Sequence, residues 1–181
     1  MKRVLGGAND LDAVHIDTKH PRGSTVTGLL LETSPRFVTV QQITGFEDDG
    51  VIVLPAKWIR TTRRSKFERC MNDVLQVLGT LHTTMYRSGL LGHSDLPGIV
   101  AHLHVSDTWP AVEVLHKNEA SVYAGPITEL SESTFRIYCY DAAGEWEQEY
   151  EIDYDEVFKI EIDTKYVRHF TRYMRLKATR N

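Results

Sequence analysis

The sequence predicts an α+β protein, mainly β, built as two tandem small five-stranded barrel-like domains, each closed by a C-terminal helix. Three observations carry this expectation. Short runs rich in β-branched and aromatic residues recur along the chain, separated by Gly and Pro. Trp58 to Met71 reads as a strand running straight into an amphipathic helix, and Val157 to Met174 repeats that plan. The order of the first-half anchors returns, at nearly equal spacing, in the second half.

Taken in order, Ala13 to Ile16 opens the first β segment, and K-H-P-R-G-S at 19–24 is turn chemistry. Thr25 to Thr33 reads as a strand with Gly28 inside it, the mark of a bulge or tight bend. Ser34-Pro35 turns the chain into a strand over Phe37 to Ile43. Thr44 to Gly50 reads as an acidic loop, Val51 to Leu54 as an apolar strand stopped by Pro55, and Trp58 to Thr62 as the last strand. Ser65 stands three residues before Glu68, the S-x-x-E capping box in which each side chain satisfies an orphan backbone donor. Phe67, Cys70, Met71, Val74, Leu75 and Leu78 follow at helical spacing as one apolar stripe, and Gly79 is a natural stop.

The second half lays over the first. Ala111-Val112-Glu113-Val114 matches Ala13 to Ile16, Gly125 matches Gly28, and Phe135 to Tyr138 matches Phe37 to Val40. Val157-Phe158-Lys159 matches Trp58 to Arg60, and Thr164-Lys165-Tyr166 matches Ser65 to Phe67. Asp141 to Gly144 is a hairpin turn before a run whose parities separate cleanly. Glu145, Glu147, Glu149, Glu151, Asp153 and Asp155 fall on one face, and Trp146, Gln148, Tyr150, Ile152 and Tyr154 on the other. Val157 to Asp163 repeats the alternation with Phe158, Ile160 and Ile162 inward. Thr164 caps a final helix with a stripe of Tyr166, Phe170, Tyr173 and Met174. The domains are thus 12–79 and 110–176, joined by a linker over 80–109 with a short helix capped near Ser94-Asp95. Each domain is small for independent stability, so the two are expected to pack on each other or on a second chain.

Composition is that of an ordinary soluble globular protein, with no apolar run long enough to span a bilayer and no signal-peptide pattern at 1–10. Two cysteines, Cys70 and Cys139, make no disulfide framework; both fall on apolar faces and read as reduced core thiols, which points to a cytoplasmic location. The net charge of −4 hides an asymmetry. Residues 1–90 carry 12 Lys and Arg against 9 Asp and Glu, a balance of +3, and residues 91–181 carry 9 against 16, a balance of −7. Halves of opposite sign attract each other within a chain or between chains.

Across roughly 13–175, the pattern F-V-T-V…D-G-V-I-V-L…W-I-R-T-T-R-R-S-K-F-E-R, followed by S-V-Y-A-G-P-I-T-E-L…F-R-I-Y-C-Y-D-A-A-G-E-W…I-D-Y-D-E-V-F-K-I-E-I-D-T-K-Y, resembles a family of uncharacterised bacterial proteins. Its motifs are structural and imply no chemistry. Each copy also resembles the small five-stranded barrels of the Sm-like and SH3-like types. The Sm-like resemblance implies RNA binding and ring formation, but the residues that hold a base there are replaced here by Ser34-Pro35-Arg36 and Thr61-Thr62-Arg63-Arg64, with no Arg-Gly pair. The SH3-like resemblance implies peptide capture by clustered aromatics. Whether Tyr123, Tyr138 and Tyr140 gather into such a cluster depends on the fold.

The densest basic cluster is Arg60, Arg63, Arg64, Lys66 and Arg69, with Thr61 and Thr62 as added hydroxyl donors. It suits anion or nucleic-acid contact, because such groups neutralise phosphates and release counterions. It suits equally a solvated corner, or a docking surface for the acidic strand at 145–155. That acidic strand is a poor cation site, since alternate carboxylates on a strand stand about 7 Å apart and do not converge. His82, His93, His102 and His104 gather in the linker; at i, i+2 on a strand a pair can hold zinc, whereas on a helix it diverges. No P-loop and no G-x-S-x-G elbow occurs. The expected role is a non-enzymatic binding or assembly module acting through protein–protein contacts, self-associating or bound to another protein, without a cofactor, metal or membrane. The alternative is an Sm-like RNA-binding protein using the basic corner at 60–69, and a metal enzyme using the linker histidines stands behind both.

Overall fold

The computed structural model describes residues 12–79, 90 and 92–179. The lead-in at 1–11 and the first part of the expected 80–109 linker, residues 80–89 with His82 among them, lie outside the described residues. Among the described residues, eleven strands and three α-helices make the protein α+β and mainly β. The chain divides at Ser94/Asp95 into two units. No helix among the described residues is long and apolar enough to cross a membrane.

In the first unit, β1 (Ala13–Thr18), β2 (Thr25–Thr33), β3 (Phe37–Thr44), β4 (Glu47–Pro55) and β5 (Ile59–Arg63) form antiparallel ladders in the order β5-β1-β2-β3-β4. A 3-10 turn, Ala56–Trp58, joins β4 to β5, and α1 (Lys66–Val77) follows. Phe37, Val38, Val40, Ile52 and Leu54 are buried, as their β-branched and aromatic neighbours on a pleated surface require. Helix α1 lies on β1. Leu75 packs with Ala13, Leu29 and Ile43, and the Asn72 side-chain oxygen accepts from the Ala13 N–H at 2.7 Å.

The second unit opens with α2 (Leu96–Val105), the short helix expected in the linker. Asp95 caps it by accepting from the Gly98 N–H at 3.0 Å, and Ile99, Val100 and Leu103 are buried. Strands β6 (Ala111–His116), β7 (Glu119–Ala124) and β11 (Val157–Ile162) run in the order β11-β6-β7. Strands β8 (Ile127–Leu130), β9 (Thr134–Tyr140) and β10 (Trp146–Asp153) form a three-stranded sheet in the order β10-β9-β8. Helix α3 (Lys165–Ala178) closes the chain, with the Thr164 hydroxyl accepting from the Val167 N–H at 3.3 Å.

Four expectations are corrected. The sheets are open, not closed barrels: in the first unit β5 and β4 stand at opposite ends of the strand order. In the second, Gly125 and Pro126 divide one extended run into β7 and β8, which belong to different sheets. Residues 44–50 are not a loop. β3 and β4 meet in a two-residue turn at Gly45 and Phe46, both at positive φ (60° and 65°), with Thr44 paired to Glu47. A bulky residue at positive φ is uncommon, so Phe46 hid the hairpin. In β10 the parity breaks. A register shift between Trp146 and Glu149 pairs Trp146 with Tyr140 and Glu149 with Tyr138, placing the indole on the face of the acids. Finally, the α1 stripe is not core: only Leu75 of it is buried, while Phe67 is 67 %, Leu78 61 % and the neighbouring Val77 88 % exposed, and Cys70 is exposed rather than packed.

Candidate functional site

The basic corner is where β5 turns into α1. The capping box forms as the sequence dictates: Ser65 caps the first turn and the Glu68 carboxylate accepts from the Ser65 backbone N–H. Arg63 joins it, with Nη2 at 2.8 Å and Nε at 3.2 Å from Glu68 Oε1. Glu68 is buried, and burial alone would raise its pKa. The hydrogen bonds from Ser65 and Arg63 and from backbone N–H groups outweigh that and bring it down to about 2. Arg64 Nη2 lies 2.6 Å from Asp12 Oδ1, and the Thr61 hydroxyl donates to Asp17 at 2.9 Å. Arg63 therefore ties β5 to α1, and Arg64 ties the corner to the residue before β1.

The other members of the cluster face solvent. Arg60, Lys66 and Arg69 are exposed and make no ion pair among the described residues. Lys66 Nζ sits 5.4 Å from the centroid of the Phe67 ring, so the corner offers three cations beside an uncovered apolar stripe. Sequence reasoning located this cluster but missed its division. The signal was present in the i, i+5 spacing of Arg63 and Glu68, which the capping box brings together.

In the second unit the acidic strand β10 is outermost in its sheet. Glu147, Glu149, Glu151 and Asp153 are all exposed. Arg136 answers two carboxylates across the sheet, at 3.2 Å from Glu129 and 3.4 Å from Glu151. Of Tyr123, Tyr138 and Tyr140, two meet on one ring: Tyr138 stacks on Trp146 at 4.7 Å between centroids and Tyr140 meets it edge-on at 6.3 Å. Tyr140 is buried and also stacks on Phe170 at 5.7 Å, while Tyr123 leans on Tyr150 at 4.8 Å instead. Burial pushes the Tyr140 hydroxyl and the Cys139 thiol up to about 12.

His102 and His104 lie on α2, where an i, i+2 pair diverges, and His104 Nδ1 is 2.8 Å from the Ile127 carbonyl oxygen. Among the described residues no group of three or more His, Cys, Asp or Glu is placed to hold a metal ion. Comparison with protein-family models, with curated proteins and with solved structures finds no match.

Proposed function

We propose that this protein is a non-enzymatic assembly module that acts through protein–protein contacts, with a second copy of itself as the partner. The observation that carries the reading is α1. Its start is fixed by a capping box and two ion pairs, and it presents Phe67 and Leu78 of its stripe, with the neighbouring Val77, to solvent. Contiguous exposed apolar side chains rimmed by charge mark interaction surfaces. The choice of a second copy rests on charge complementarity: the same chain offers unpaired cations at 60–69 and exposed carboxylates at 147–153. We further read the two units as one five-stranded plan written twice. With β7 and β8 counted as one interrupted strand, in each unit the last strand pairs with the first, the first with the second and the second with the third, and a capped helix follows.

Light scattering over a range of protein concentration and salt tests the reading. The mass should rise with concentration, fall with salt, and drop to that of one chain in Phe67→Asp with Leu78→Asp. A single-chain mass for the wild type throughout the micromolar range would sink it. A second reading, RNA or another polyanion at the corner, draws support from the three unpaired cations. Retention on a polyanion column, falling steeply with salt and lost in Arg60→Glu with Arg69→Glu, would favour it. Arg63 and Arg64 are the wrong positions for that test, because their reversal would break the helix start.

A further inference from the structure

We propose that strand β10 of one copy receives the β5–α1 corner of a second, so that chains join head to tail. The inference rests on the assembly reading and names its two surfaces. In the β10-β9-β8 sheet the two outer strands are treated differently. β8 is covered by α2, whose His104 bonds the Ile127 carbonyl. Among the described residues, β10 pairs with β9 alone.

The direction of its open backbone groups follows from the ladder. The Tyr154 N–H donates to the Ser133 carbonyl at 3.0 Å, continuing the register of Ile152 with Phe135. Backbone groups alternate along an antiparallel strand, so the amides of Glu149 and Glu151 point away from β9, toward the open edge. On that edge Glu149 and Glu151 share a sheet face with the half-buried Tyr138–Trp146 stack. The surface is therefore aromatic and acidic, with Arg136 against Glu151 and the other carboxylates in excess, and its backbone donors are turned away from β9.

The β5–α1 corner is its complement. β5 is outermost in its own unit's sheet, and the corner adds Arg60, Lys66 and Arg69 to an exposed Phe67. Two β10 edges cannot meet, since rows of like charge directly opposed repel. A contact that sets β10 against β10 is thereby disfavoured, and the arrangement of β10 on the corner closes as a ring, of two copies or more, or extends as a chain.

Charge exchange on the full chain tests this. Glu149→Lys with Glu151→Lys gives a copy basic on both surfaces, and Arg60→Glu with Arg69→Glu a copy acidic on both. Each alone should self-associate on the order of tenfold more weakly or worse than wild type by light scattering. An equimolar mixture should recover assembly, because every contact again joins opposite signs. In the wild type, hydrogen exchange at the Glu149 and Glu151 amides should slow as concentration rises. Assembly that survives both reversals, a mixture that fails to recover, or exchange at those amides indifferent to concentration would overturn the inference and leave the assembly reading standing. A wild type that never associates would overturn both.

Discussion

Replacing Glu68 by Gln measures what holds the strand-to-helix corner together. The carboxylate falls from its ordinary 4.5 to about 2 in the folded protein. At 1.36 kcal/mol per unit, and discounting for the half-exposed Arg63 partner, the ionised form contributes about 2–3 kcal/mol. The folded pKa is the lower one, so on acidification the unfolded chain takes up the proton first. The contribution is complete above pH 5 and declines as pH falls through 4.5 toward 2, with roughly 60 % of it gone by pH 3. Urea unfolding of wild type and Glu68→Gln, followed by far-UV circular dichroism at pH 7, 5, 4 and 3, reads this directly. The variant should be about 2–3 kcal/mol less stable at pH 7, and the gap should narrow steadily below pH 5. A gap that stays constant from pH 7 to pH 3 would refute the reasoning, because it would assign the cost to packing rather than to charge.

Three further outcomes are expected. Gly28→Ala and Gly125→Ala should each cost more than about 2 kcal/mol in the same unfolding assay, since the added Cβ would lie 1.9 Å from the Gln41 carbonyl oxygen and 2.0 Å from that of Tyr138. A thiol reagent at pH 8 should label exposed Cys70 promptly and buried Cys139, with its thiol near 12, only on unfolding; equal rates would contradict the burial of β9. Ser65→Ala should destabilise by about 1 kcal/mol with little change between pH 7 and pH 5, since a hydroxyl cap does not titrate there.

Much of the fold is legible in the sequence because the chain punctuates itself. The capping box at Ser65 and Glu68, the cap at Asp95 and the bounds of β2 follow from local chemistry that tertiary packing leaves alone. The Gly28–Gly125 correspondence is sharper still. Both positions are glycine because a main-chain oxygen of the third strand comes within 2.0 Å of where a Cβ would stand. Sheet closure was not legible, because it depends on which distant strands meet, and no residue in β4 or β5 records that. Phe46 in a turn and the slip at Trp146 escaped for a related reason: each is a local irregularity tolerated by its surroundings, not encoded by alternation.

The candidate site divides along the same line. That Arg60 to Arg69 cluster is plain from composition; the Arg63–Glu68 pair is written in their spacing across the cap, whereas the engagement of Arg64 by Asp12 is visible only once the fold brings them together. The α1 stripe carries the larger lesson. Helical spacing of apolar residues predicts a buried face, but it cannot say what buries it. Here Leu75 and the half-buried Met71 reach the sheet below, and Phe67 and Leu78 are left facing outward beside three exposed cations. The proposed assembly would cover the part of this stripe that the described fold leaves open, and in that proposal the acidic edge of β10 is where it docks.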